Sequence, residues 1–310
     1  MAVAKGRNPA VPPQSRVAMP KNALWTVVMP LVFVVLWSTG FIGARLALPD
    51  AQPWTFLGVR FGIVALLFAA WMVLTRANWP SATDWAIQGG IGLLVHVSYL
   101  GGVFVSVDLG LEAGTSAIIV GLQPVIIALM AASLLGERLR AIQWLGMALG
   151  LGGVVLVVWQ KLGAGIGNAE AVAICVGGLL AIAVGSALQK RYSGRMPMLT
   201  GNMMQFAISS VACMLLAAIF EDFRIIWSTG VIIAMVWSVV ILSIVAITLY
   251  YLMIKHGAAS EVASLFFLVP VFTALMAWPL FGELMGPLEI FGMTLAAVGV
   301  LLVLRKPGAA

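Results

Sequence analysis

The chain has 310 residues, of which 62% are hydrophobic and 9% charged, with a mean hydropathy of +1.10. A soluble domain keeps roughly 25% charged residues, so the outer surface of this protein must face lipid. The net charge of +6 and pI near 9.7 do not call for a nucleic-acid partner, because basic residues of membrane proteins collect in cytoplasmic loops.

Residues 1–24 are polar, basic and proline-bearing and are expected to form a disordered cytoplasmic tail rather than a cleavable signal. Ten apolar runs follow, near 25–46, 54–75, 85–107, 114–135, 141–159, 170–189, 199–219, 229–253, 262–281 and 287–304. Each is long enough to cross a ~30 Å hydrocarbon core at 1.5 Å per residue. The runs are continuous rather than alternating, which excludes a closed β-barrel. Cys175 and Cys213 both fall inside them, so no disulfide framework is readable. Residues 306–310 are expected to form a short cytoplasmic tail.

The loops carry a charge bias. Lys5, Arg7, Arg16, Lys21, Arg76, Arg138, Arg140, Lys190, Arg191, Arg195, Lys255, Arg305 and Lys306 fall on one side of the ten runs. Arg45, Lys161 and Arg224 fall on the other. Thirteen against three predicts that both termini are cytoplasmic.

Two distant stretches match without a gap. "GLQPVIIALM" from Gly121 and "FLVPVFTALM" from Phe267 lead to "GER" at Gly136 and "GEL" at Gly282. From Ala113 to Val158, 19 of 46 positions are identical to the residue 146 further on, too many for shared hydrophobicity alone. The repeat therefore holds five spans, over 25–160 and 161–305. Five is odd, so the second copy enters the membrane from the opposite side. The expected fold is all-α: ten transmembrane helices as two inverted five-helix repeats, the architecture of secondary transporters.

The pattern resembles the drug/metabolite transporter superfamily, specifically its ten-span EamA-type members. The resemblance rests on "LWSTGFIGARLAL" and "TFLGVRFGIVALL" in the first two spans and on the paired Pro…Gly-Glu…Gly stretches. Within the superfamily the sequence looks most like the YddG-type exporters of aromatic and other amino acids. The resemblance implies a ten-helix basket with a central cavity, moving metabolites out across a bacterial inner membrane.

The candidate site residues come from what hydrocarbon forbids. All eleven acids lie in loops or at span ends, so the buried carboxylate that many proton-driven pumps use is missing and weak or absent proton coupling is expected. His96 sits near the middle of span three, where an ionisable residue is a functional candidate. The alternative is a neutral histidine bonding across a helix contact. Tyr99 and Val103 share its face by i, i+3, i+7 spacing. Trp37 lies mid-span beside Ser38, as a stacking wall for substrate or as ordinary packing. Trp25, Trp54, Trp79, Trp85, Trp144, Trp159 and Trp227 read as interfacial belt. Ser243 and Tyr250 in span eight occupy the position equivalent to span three.

His96, Tyr99, Trp37, Ser38, Ser243 and Tyr250 are thus the candidate substrate-binding set. Pro124 and Pro270 each remove one backbone hydrogen bond mid-span and free the carbonyls of Val120 and Phe266, as hinges or as static kinks. Arg60, inside span two, is read as a structural anchor that snorkels or pairs with a loop acid, or as a gating or substrate-carboxylate contact. Glu137 and Glu283 are assigned structural or gating roles. The spacings Gly58/Gly62 and Gly146/Gly150 permit close helix approach.

No metal or cofactor is expected. Phosphorylated substrates would want several buried cations and large cationic drugs a buried acid. A small zwitterion fits better, and amino acids are the expected substrate. The partners expected are that substrate and membrane lipid, with no nucleic acid, and the protein is expected to be a monomer. The alternatives are a facilitative carrier for another small neutral metabolite or drug, a passive channel, and an integral membrane enzyme. The last would need paired acids, a metal cluster or a Ser/His dyad at depth.

Overall fold

The computed structural model describes residues 27–77, 79–111, 116, 119–134, 140–162, 169–192, 194–257, 259–281 and 286–304. Among the described residues each predicted run contains a helix: α1 (Met29–Ala47), α2 (Pro53–Leu74), α3 (Ala82–Asp108), α4 (Gln123–Leu134), α5 (Ala141–Leu162), α6 (Ala169–Tyr192), α7 (Met198–Phe220), α8 (Thr229–His256), α9 and α10 (Pro287–Leu304). In α9, Ala259–Ser264 leads through a 3-10 turn, Leu265–Leu268, into Val269–Phe281. Among the described residues, seven of these helices are long and apolar enough to cross a membrane and there is no strand, only a bridge between Ala51 and Ile225.

Starts follow local chemistry. Prolines, whose missing N–H costs nothing in a first turn, open α1 and α2. Ser81 and Asp84 form a reciprocal capping box on α3, and the Ser228 hydroxyl accepts from the Val231 N–H at the start of α8. Polarity is arranged inside-out. Leu66, Leu74, Ile219 and Leu301 are largely exposed on the outside, while Arg60, Asn202, Gln205 and Ser243 are buried within. Only a lipid surround makes that arrangement stable.

The helix pairing is regular. α2 packs on α7, and α5 on α10; α3 packs on α6, and α1 on α8; α4 packs on α6, and α1 on α9. Exchanging each helix for the one five places along the chain leaves this set of pairs unchanged. The closest backbone approach is between α5 and α10. A Cβ on Gly299 would stand 2.5 Å from both the Gly146 carbonyl oxygen and the Gly150 nitrogen, and one on Gly153 would collide with the Ala296 nitrogen. Backbone thus rests on backbone between α5 and α10. At Gly58 the nearest obstacle is the flexible Met214 thioether, whose sulfur would lie 2.6 Å from an added Cβ. The Ser210 hydroxyl donates to the Gly58 carbonyl at 2.8 Å, stitching α2 to α7.

Two groups of loops define two faces. On one, Ile226 N–H donates to Asp50 O at 2.8 Å and Gln52 N–H to Arg224 O at 3.2 Å. Glu221 closes over the start of α2, accepting from Trp54 N–H (2.7 Å), Thr55 N–H (2.8 Å) and the Thr55 hydroxyl (2.7 Å), where the positive end of the helix dipole favours an anion. On the other face, Arg195 pairs with Asp84 at 2.8 Å. There Lys190 also donates to the carbonyls of Ile254 and Gly257. Trp54, expected in the interfacial belt, is half-buried and packs over Gly101, where a Cβ would collide with its ring.

Substituting Gly299 by Leu is expected to destabilise the protein by more than the ~1–3 kcal/mol of ordinary overpacking, because backbone cannot yield. Gly58→Ala should cost less, since Met214 can swing aside. Thermal unfolding in detergent, followed by size-exclusion recovery, measures both.

Candidate functional site

The centre of the bundle holds a cluster of rings from three helices. Trp37 of α1 lies with its ring centroid 5.2 Å from Phe33, 5.5 Å from Tyr250 of α8 and 5.3 Å from Phe266 of α9. Phe33 stacks on Tyr250 at 5.6 Å, and Tyr250 meets Phe266 edge-on at 5.6 Å. Trp37 also packs on Tyr99 of α3. Offset and edge-on contacts are the ones ring quadrupoles favour. The Tyr250 hydroxyl hydrogen-bonds Ser186 of α6 at 2.6 Å, and Ser186 donates its own proton to the Ile182 carbonyl. Trp37 remains partly exposed within this otherwise buried group. Three of the candidate residues, Trp37, Tyr99 and Tyr250, are therefore brought together.

Ser38 is adjacent but has a different role: its hydroxyl donates to Val34 O (2.7 Å) and Val269 O (3.2 Å), tying α1 to α9. The carbonyl of Phe266, freed by Pro270, accepts from the Val269 N–H three residues on. A similar turn precedes Pro124, where Leu122 N–H bonds Ile119 O at 3.1 Å. At Pro270 the tightened turn absorbs the lost bond. Glu137 and Glu283 lie outside the described residues.

His96 points elsewhere. It is buried at 2% exposure between Phe206, stacked at 4.3 Å, and Phe61 at 5.4 Å, both on the α2–α7 pair. The expected shared face with Tyr99 fails because Leu93–Gly101 is wound as π-helix. Its i→i+5 bonding widens each turn and rotates His96 away from Tyr99. Ser238–Ala246 in α8 is wound the same way, 145 residues further on. Sequence pattern carries no sign of either winding.

Arg60 neither snorkels nor reaches a loop acid. Buried at 3% exposure, it donates from Nε to Ser243 Oγ at 2.9 Å and its Cζ lies 5.6 Å from the Phe61 ring. Ser243 is thereby a tie between α2 and α8. Among the described residues no carboxylate pairs with Arg60.

A carboxamide hub lies beyond His96, and residue-by-residue reading misses it. Gln205 Nε2 donates to Gln88 Oε1 (2.7 Å) and Gln189 Oε1 (3.0 Å), while its own Oε1 accepts from the Tyr251 hydroxyl at 2.8 Å. All four residues are buried, and they join α3, α6, α7 and α8. The available signal is the occurrence of glutamines inside apolar runs, where any polar group demands a partner. Among the described residues, no three His, Cys, Asp or Glu side chains converge on a metal position.

The EamA-like transporter family model matches residues 24–159 and again residues 170–305. The chain belongs to the EamA-like transporter family. It is therefore a transporter, and the membrane-enzyme reading falls away. It is 24% identical over 280 residues to the uncharacterized inner membrane transporter YedA of Escherichia coli K12, covering 88% of this chain and 90% of that one. It is 25% identical over 248 residues to the uncharacterized transporter YvbV of Bacillus subtilis, covering 79% and 80%. It is 27% identical over 135 residues to a probable amino-acid metabolite efflux pump of Escherichia coli K12, covering 44% and 43%. A protein of known crystal structure, 19% identical, shares the fold with a TM-score of 0.76, covering 91% of this chain and 96% of that one.

Gln205→Leu should orphan Gln88, Gln189 and Tyr251 together, each at about 1–3 kcal/mol, and lower the thermal midpoint in detergent markedly. His96→Phe keeps the ring stack and removes a buried nitrogen that, among the described residues, has no partner. Its stability should stay within about 1.5 kcal/mol of the parent.

Proposed function

We propose that the chain is a secondary transporter that exports small zwitterionic metabolites, foremost amino acids including aromatic ones, across a bacterial inner membrane. It works by alternating access between two inverted five-helix halves. The observation that carries this reading is the Trp37–Tyr250–Phe266 cluster with Tyr99, where α1 and α3 of the first half meet α8 and α9 of the second.

Rings on three sides suit an aromatic or apolar side chain. The absence of a carboxylate among the buried described residues disfavours a cationic cargo. Arg60, the one Lys or Arg buried among the described residues, is too little for a polyanion. A substrate whose own charges balance fits what remains. The probable amino-acid metabolite efflux pumps of Escherichia coli and Salmonella typhimurium, similar over about two fifths of the chain, support the same class.

Alternating access is supported by the two family matches, by the exchange-invariant helix pairing and by loop positions. α1 ends at the Asp50–Ile226 face, whereas α6, its counterpart, ends at the Asp84–Arg195 face. The second face carries Lys190, Arg191, Arg195 and Lys255 and is assigned to the cytoplasm. With Asp and Glu confined to span ends, transport is weakly coupled or uncoupled to protons, and a monomer suffices for it.

Purified protein in liposomes should move labelled phenylalanine with saturable kinetics. Trp37→Ala and Tyr250→Ala should each raise KM roughly tenfold, as loss of about 1–1.5 kcal/mol of ring contact implies. Parental kinetics in both variants, or flux linear in substrate, would refute the reading.

A further inference from the structure

The basic face contains a cleft that the aromatic cluster does not use. It is shallow, with room for about one small polar group, and is lined by Gln88, Gln189, Tyr192, Met196, Met198, Gly201, Tyr251 and Lys255. Its polarity is set by the carboxamide hub. The Tyr251 hydroxyl donates to Gln205 Oε1, which turns Gln205 Nε2 toward Gln88 and Gln189. Both N–H bonds of that nitrogen are then used, and both partner oxygens are occupied. What Gln88 and Gln189 have left to offer is their own amide N–H groups. These donate to no atom of the described residues, yet neither nitrogen is sealed away without a partner, so both reach open space. The cleft is where that space lies.

We propose that this cleft receives the carboxylate of an amphiphilic substrate arriving from the basic side. Two amide donors on buried, cross-braced side chains provide a preorganised anion site, and a carboxylate with two oxygens can accept from both. Lys255, exposed at the rim, adds a full positive charge. Tyr192, Met196 and Met198, half-buried along the mouth, give an apolar or aromatic tail a soft surface. The donors select an acid and reject an amine, because a cation would face two N–H dipoles and an ammonium. The cleft admits only the tip of the carboxylate, and the tail lies outside it along the methionines. The ligand's place in the transport cycle rests on the exporter reading; the binding chemistry does not.

The test is direct binding to purified protein in detergent, by calorimetry, of 3-phenylpropionate, L-phenylalanine and phenethylamine. The acid and the amino acid should bind and the amine should not. Lys255→Glu, a surface change that leaves the fold intact, should weaken 3-phenylpropionate at least tenfold, and Gln88→Leu about tenfold. In liposomes, Lys255→Glu should raise KM for phenylalanine loaded from the basic face and leave kcat unchanged. Amine binding equal to acid binding, or an unchanged Kd in Lys255→Glu, overturns the proposal. If the parent binds the acid as described and transports no amino acid, the exporter reading fails and the cleft stands. If it transports phenylalanine while Lys255→Glu and Gln88→Leu leave 3-phenylpropionate binding unaltered, the cleft fails and the exporter reading stands.

Discussion

A polar group inside a lipid-surrounded bundle has no water to fall back on, and the architecture of this protein follows from that constraint. Gln205 meets it by gathering three partners from three other helices. Arg60 meets it with Ser243 and a phenyl face, and Ser38 with two carbonyls of different helices. In water such bonds would contribute little, since solvent competes for every one of them. Here each is a fastening between segments that hydrophobicity alone cannot align, because lipid tails are as apolar as leucine.

The fastenings divide the bundle into parts with different duties. α5 and α10 touch through glycine backbone and carry no candidate site residue, so they act as a rigid strut. α2 and α7 form a second close pair, and their rings enclose His96. Between these struts lie α1, α3, α4, α6, α8 and α9, which hold the aromatic cluster and the two prolines, while the cleft also takes Met198 and Gly201 from α7.

Much of this is legible in the residues themselves. Ten apolar runs locate ten helices to within a few residues, except that the described part of α4 begins later than its run, and the gapless Gly121/Phe267 match anticipates two family copies. The glycine spacings mark two close contacts. Trp37, Tyr99 and Tyr250 stand out because aromatic side chains mid-span are conspicuous. What escapes is whatever depends on winding and on partners. His96 and Tyr99 share a stripe only on a regular α-helix, and no residue preference announces π winding. The Gln88–Gln189–Gln205 hub escapes for a different reason: neutral amides are individually unremarkable in a sequence and acquire meaning only when three meet.

The two π-wound stretches, Leu93–Gly101 and Ser238–Ala246, stand at matching places in halves that share few residues there. Their side chains have diverged (His96 in one has no histidine across from it) while the unusual coil has not. The same irregular winding therefore sits under two different sets of side chains, so at this depth the backbone path is common to both stretches while the groups it presents are not.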